Sequence, residues 1–523
     1  MPAIDLSARS PIETWSQSKP PVVGRRGVVA SQNVQASEVG AAVLAAGGNA
    51  ADAAVATALA LTVAEPWMSG LGGGGFALIY EAKTGRVRSL DFGMVSARGL
   101  NTADYPLDPS RAAAADLFGW PAVVEDRNLQ GFHSIAVPGT CAGYAKLLSE
   151  FGSWSWADAI SPAVAMAERG HRMTWWTTLN VASEVGWLRR YEGSRAVWLA
   201  SGEVPVIGDH LTHHLDMGGF AGTLRRLRDA GPEDFYTGET SRALVTDLQA
   251  GGSAIALEDL AAYRAVVSDA LPRERGGHTI HLAPGYTAGP TFAGALSRLP
   301  AFTGPIDAAA YKAHAEAMIE AYKVRLATMG HAGDVGDRSC TTHLCTLDAE
   351  GNMVVMTTTL LSRCGSRVVL PSTGVLMNNG INWFDPRPGL PNSLAPGQKP
   401  LSNMCPMIAT RDGAAWFGLG ASGGRKIMPA IFQLTSFIGD FAMDLEVAFA
   451  QPRIDISLVD RIIADDRLDA DVIAALNGVA PVDLAQASAF PGSWAIPCGV
   501  MRTDAGPAGA AHIYGPLNAA VAA

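Results

Sequence analysis

Two threonines and a histidine, Thr341, Thr342 and His343, open a β-prone run directly after a polar stretch, and Thr357, Thr358 and Thr359 close its return. A threonine hydroxyl becomes a useful nucleophile only when a base stands beside it. The runs "TTHLCTLD" and "NMVVMTTTL", joined by "AEG", have the form of a hairpin with a short glycine-containing turn. With a three-residue turn centred on Glu350, Asp348 faces Asn352 and, without a bulge, Thr341 faces Thr359. Directly opposed residues carry Cβ atoms about 4.5–5.5 Å apart, which brings the two hydroxyls within reach of each other. Threonine is also common in strands, and a plain cross-strand pair has the same signature.

The elements that must hold this hairpin occupy a chain of 523 residues, above the usual single-core size of roughly 250–300, so two domains or one large multilayer domain are expected. Charged residues make up 17% of the chain against a typical ~25%, which points to extensive burial. A net charge of -10, with basic residues only in short runs such as Arg25-Arg26, Arg189-Arg190 and Arg225-Arg226, gives no footprint for a nucleic acid backbone. The six cysteines form no C-x-x-C pair, as expected of reduced thiols, and the reading is a cytoplasmic protein without a signal segment. The longest apolar run, Ala53 to Ala64, is too short to span a membrane and reads as a buried helix.

Residues 36–46 suit a helix ended by Gly47-Gly48, and Asn49 suits the cap of a second, nearly all-apolar helix to about Ala64. "SGLGGGG" then precedes two strand-like runs, "FALIYE" and "VRSLDF". Helix, glycine loop, strand is the reverse of a phosphate-binding order, so these glycines read as sites of close backbone packing. Residues 137–330 are mainly helical in pattern, with a strand signal at 277–284. His210, His213 and His214 cluster without further ligands at metal spacing, and His314 reads as a packing residue on an amphipathic helix. Residues 331–340 suit an exposed loop, after which the pattern is strand-like to about Met377.

Several motifs in order resemble the gamma-glutamyltransferase family: "ASEVGAAVLAAGGNAADAAVATALAL", "GLGGGGFALIYEAKTG", "AVPGTCAGYAKLLSEFG" and "FYTGE" in the first part, then "TTHLCTLDAEGNMVVMTTTL", "GVLMNN", "NSLAPGQKPLSNMCP" and "GASGGRKI". The likeness runs from about Gly27 to Ile454. It implies an α+β, four-layer αββα sandwich of the N-terminal-nucleophile (Ntn) hydrolase type, made as an inactive precursor. Carried over, the precursor consists of a tail (1–26), a large subunit (27–340) and a small subunit (341–523), cut between Cys340 and Thr341. The processed subunits stay associated, no cofactor or metal is implied, and a homo-oligomer is compatible with the pattern. Thr341 then has a free α-amine of pKa near ~7.7–8.0, suited to general-base work. Thr359 matches the family's second catalytic threonine, and Gly423-Gly424 match the pair whose N–H groups form the oxyanion hole. His343 reads as structural, since the amine already fills the role of base.

The substrate clamp of the family is different here. Gly93 stands at the expected arginine, Leu361 at the asparagine, and Gly380 and Trp383 at the Gln/Glu and Asp positions, while the motif's serine pair is reduced to Ser402-Asn403. A glutamyl α-ammonium would lose its water there without gaining an anion, at a cost of several kcal/mol. Arg363, Arg367 and Arg425 are new cations near the site that suit bidentate reading of a carboxylate or, equally, surface ion pairs. The leading expectation is therefore a self-processing threonine amidohydrolase for small acid amides without an α-amine, oxamate-like or other acyl amides, with water or an amine as acceptor. A conventional glutathione hydrolase/gamma-glutamyl transpeptidase is the second reading, and a silent binding protein on the same fold the third.

Overall fold

A computed structural model describes residues 17–114, 118–207, 213–329, 339–489 and 494–523. Alternation along the threonine hairpin decides its layers. Cys345, Leu347, Met353 and Val355 face one apolar cluster while Leu344, Val354 and Met356 face another, the period of two that a strand covered on both sides requires.

One sheet runs, strand beside strand, Ala519–Ala522, Gly27–Ser31, Ser339–Asp348, Met353–Ser362, Gly74–Glu81, Arg86–Phe92 and Val266–Asp269. The other runs Val22–Val23, Gly506–Ala511, Ile496–Thr503, Ala414–Ser422, Met407–Arg411, His278–Leu282 and Leu271–Arg275. All pairs in both are antiparallel. Ile408, Cys498 and Val500 of the second sheet pack against Val28, Cys345 and Val355 of the first. Helices close both outer faces: Ala50–Ala64 and Thr140–Phe151 cover the hairpin sheet, and Gly289–Leu296, Ala308–Thr328 and Ile427–Gly439 cover the other. This is the αββα sandwich of the Ntn hydrolases. No helix among the described residues is long and apolar enough to cross a membrane.

Local chemistry explains the placement. The Asn33 side chain accepts from Gln35 N–H and caps Val34–Ala45; Asn49 caps Ala50–Ala64, with Asp52 returning the bond to Asn49 N–H at 2.9 Å. The latter helix is buried along its whole length, as its uninterrupted apolar composition requires. A Cβ on Gly73 or Gly75 would lie 2.2 Å from the carbonyl oxygen of Thr359 or Thr357, so the glycine run is what lets its strand dock on the threonine strand.

Two expectations change. The second hairpin strand ends at Ser362 rather than near Met377, because the chain beyond it turns tightly, with Leu361, Cys364 and Arg367 at φ of 83°, 57° and 64°. Val22–Val23, read as tail, adds an edge strand. His314 is fully buried, with Nε2 2.9 Å from Ser436 Oγ. His214 enters a two-residue strand paired with His171–Arg172, while His210 and residues 331–338 lie outside the described residues.

Candidate active site

The hairpin register is the predicted one from Leu347 opposite Met353 back to Thr342 opposite Thr358. It then breaks: Cys340 pairs with Leu361, so Thr341 is opposed by two residues rather than one. The unbulged pairing anticipated from sequence is thus replaced by a bulge of Thr359–Leu360 opposite Thr341, a device that re-aims a side chain. Thr341 Oγ1 and Thr359 Oγ1 are 3.2 Å apart, and Thr359 Oγ1 also accepts from Leu361 N–H at 2.9 Å. Leu361 is buried in the left-handed region, an outlier for a bulky side chain and a place where local strain is stored. Asn379 holds this turn, donating N–H to Leu360 O and accepting Ser362 N–H on its side chain.

Behind the nucleophile candidate lies a buried polar chain that sequence reasoning missed. Thr342 Oγ1 is 2.7 Å from Glu65 Oε2 and 3.4 Å from Gln32 Oε1, and Gln32 Nε2 donates to Ser422 Oγ at 2.6 Å and to Ile496 O at 3.0 Å. Burial pushes Glu65 up to about 8, against the opposing effect of its bond to Thr342. The Thr342 hydroxyl, with one proton to give, donates to Glu65 in the shorter contact, and Gln32 Oε1 stands next to it at 3.4 Å. The residue after Thr341 is thereby tied to the residue before Gly423. The available signal was Glu65 itself, the sole charge between Asp52 and Glu81.

Gly423 and Gly424 have φ of 133° and 56°, and a Cβ on Gly423 would meet Ala495 Cα at 2.8 Å. The turn they begin touches the Thr341 strand. Two residues of the Ala308–Thr328 helix hold these loops: Tyr322 Oη donates to Arg425 O at 2.5 Å, and Arg325 donates to Thr287 O, Ser402 O and Asn403 Oδ1 at 2.9, 2.7 and 3.1 Å. Burial pulls the Arg325 guanidinium down to about 10.

The candidate arginines separate. Arg367 is buried against Glu184 at 3.1 Å, not in a surface pair. Arg363 donates to Ser183 Oγ at 2.7 Å, and the Arg425 guanidinium lies 5.8 Å from the Tyr322 ring. A cavity of about 270 Å³ opens beside Gly93, Trp383 and Ser402, with Phe76, Asp91 and Lys399 also in its wall and none of the three arginines. A larger one, about 550 Å³, lies among Trp154, Trp156, Tyr236 and Tyr263; it holds no candidate residue, so the chemistry favours the smaller.

His343, Cys345 and Cys498 bring ligand-type atoms within 4.8 Å of one another in the dry core. They are internally satisfied: His343 Nδ1 bonds Thr357 Oγ1 at 2.8 Å, its Nε2 lies 3.1 Å from Cys345 Sγ, and Cys498 Sγ donates to His343 O at 3.5 Å. Burial lowers His343 to about 3, so it is neutral at working pH and unsuited to taking protons.

The model of the family described as gamma-glutamyltranspeptidase matches residues 36–337 and 327–511. The chain belongs to the gamma-glutamyltranspeptidase family. It is 32% identical to the acylase ACY 1 proenzyme of Pseudomonas sp. (strain SE83), over 85% of both chains, and 29% identical to the glutathione hydrolase proenzyme of Escherichia coli (strain K12), over 83% of this chain and 81% of that one. Cephalosporin acylase from Bacillus halodurans shares the fold, with a TM-score of 0.85 over 98% of this chain and 99% of that one at 22% identity. The chain is accordingly an Ntn-type hydrolase.

The positions that the family resemblance assigned to a substrate clamp differ in how tightly they are enclosed. A Cβ on Gly380 would meet Met94 Sδ at 2.7 Å and Ala136 Cβ at 2.9 Å, and one on Gly93 would meet Phe76 Cζ at 3.2 Å. Trp383 and Leu361 are buried. A side chain at Gly380 would require Met94 and Ala136 to shift, whereas Gly93 is crowded only by Asp91 Oδ1 and Phe76 and lines the cavity.

Proposed function

We propose that the chain is a self-processing threonine amidohydrolase that cleaves acyl amides lacking an α-amine. In maturation the Thr341 hydroxyl attacks the Cys340 carbonyl; the C–N bond breaks as an ester forms, and water opens the ester to leave a Cys340 carboxylate and a free Thr341 amine. In turnover the Thr341 hydroxyl attacks the substrate amide while its own amine takes the proton and later delivers it to the leaving amine. The Gly423 and Gly424 N–H groups receive the oxyanion, Thr359 orients the nucleophile, and water or an amine resolves the acyl ester.

The observation that carries the reading is the 3.2 Å contact between the Thr341 and Thr359 hydroxyls at a register break of the hairpin. Strand order supports lasting association of the two products: the strand bearing Thr341 lies between Gly27–Ser31 and Met353–Ser362, so each sheet draws on both. Cys141, Cys345, Cys364, Cys405 and Cys498 are buried and free, which fits a reducing, cytoplasmic setting.

The test compares kcat/KM of processed enzyme for a gamma-glutamyl anilide, its des-amino glutaryl analogue and oxamate. The des-amino acids are expected to win. A strong preference for the gamma-glutamyl anilide over both returns the chain to the glutathione hydrolase reading.

A further inference from the structure

We propose that the cavity of about 550 Å³ beside the Thr140–Phe151 helix is a second ligand site, one that takes a flat aromatic acid. The site stands apart from Thr341, and its test needs no turnover.

The helix has two faces with different neighbours. Tyr144 is fully buried, with Oη 3.1 Å from Thr358 Oγ1, so that face rests on the hairpin sheet. Ala142, Ala145, Lys146 and Ser149 recur at the i, i+3, i+4, i+7 spacing of the other face, and these line the cavity. Four rings complete much of the wall: Trp154, Trp156, Tyr236 and Tyr263.

These rings offer carbon faces rather than polar tips. Tyr263 Oη donates to Gly93 O at 2.8 Å; Tyr236 Oη accepts Ala142 N–H at 3.0 Å and donates to Pro138 O at 3.2 Å; Trp156 Nε1 donates to Leu227 O at 2.9 Å. Each of the three thus gives its polar atom to the protein's own backbone. The tyrosine rings lie nearly parallel, with 14° between their planes and centroids 5.8 Å apart. The volume is within the usual ~300–1,000 Å³ of small-molecule sites, and a wall of this kind suits a planar ring system.

Charge then sets the class of ligand. Lys146 and Arg264 are the two cations, and Glu233 the one anion, among the described residues that line the cavity. Arg264 Nη1 donates to Ala261 O and to Tyr263 O, both at 2.7 Å, which clamps the guanidinium through one nitrogen. Its Nε–Nη2 edge makes no hydrogen bond among the described residues, and that edge carries the two parallel N–H groups that read a carboxylate bidentately. Lys146 Nζ is 2.6 Å from Glu150 Oε1 in a partly exposed pair and keeps two further donors. Glu233 is exposed, so water screens it. Ring faces alone would take a cation as readily as an acid; the clamped guanidinium and the ammonium decide for the acid.

The experiment is calorimetry on the full-length protein with three probes of one shape: naphthoate, the neutral acetylnaphthalene and the cationic naphthyltrimethylammonium. One equivalent of naphthoate is expected to bind, at least tenfold more tightly than either of the others. Arg264→Gln is expected to weaken naphthoate at least tenfold and to leave acetylnaphthalene unchanged, which also reports an intact fold; Arg264→Lys should keep part of the preference. Trp154→Ala is expected to weaken acid and ketone by a similar factor, and Lys399→Met, in the wall of the smaller cavity, to change neither. Equal affinity for acid and ketone, tighter binding of the ammonium, or unchanged naphthoate binding in Arg264→Gln overturns the proposal. So does naphthoate binding that is lost in Lys399→Met and kept in Arg264→Gln, which would place the acid in the smaller cavity.

Discussion

Thr341 Oγ1 and Thr359 Oγ1 face each other at 3.2 Å where the hairpin ladder slips by one residue. Thr359 also takes the Leu361 N–H, which fixes its oxygen beside Thr341, and either hydroxyl can donate in the pair. Thr359→Val keeps the shape and removes the hydroxyl. Its kcat is expected to fall about 10²-fold with an unchanged circular dichroism spectrum. Wild-type kcat in the variant would remove Thr359 from the chemistry.

Gly423 is bound to its conformation by both backbone and space, with φ of 133° and the Ala495 Cα at 2.8 Å from any added Cβ. Gly423→Ala is expected to turn the following N–H groups and lose about 10²–10³ in kcat, the usual cost of an oxyanion donor. Retention of wild-type kcat would place the oxyanion elsewhere.

Glu65 gives a pH dependence with a defined sign. Its folded value of about 8 lies above the ordinary 4.5, so the folded state holds the proton more tightly. The stability from this group is full below about pH 4.5 and is lost as pH rises through about 8. Urea midpoints of wild type should therefore fall relative to those of Glu65→Gln across that window. Parallel pH profiles would contradict the neutral carboxyl.

Gln32 spans the sheets between Thr342 and Ser422. Gln32→Leu and Ser422→Ala are expected each to lower kcat about tenfold with little change in KM. The double variant should lose scarcely more than either alone, as partners in one network do. Additive losses would show that the two side chains act separately.

The elements around the hairpin were legible in the sequence from local signals, while their αββα layering came from the family resemblance: Asn49 caps its helix, the glycine run admits a close strand, and the hairpin pattern sets the register as far as Thr342. The bulge opposite Thr341 was not legible, since it depends on the turn that Asn379 holds from outside the hairpin. Gln32, Tyr322 and Arg325 escaped for the same reason. Each is a single polar residue in an otherwise ordinary helix or strand end, and its role comes from a partner hundreds or tens of positions away. Arg367 drew attention by charge alone, and Glu184, the residue that claims it, lies on a helix with no motif to mark it.

The most direct test of the central claim is intact mass spectrometry of purified protein with N-terminal sequencing of its fragments, for wild type and Thr341→Ala. The account predicts fragments of residues 1–340 and 341–523 in wild type, the second beginning at Thr341, with amide hydrolysis appearing as they form, and one uncut, inactive chain in Thr341→Ala. Hydrolysis by an uncut wild-type chain, or cleavage of Thr341→Ala at the same bond, would contradict it.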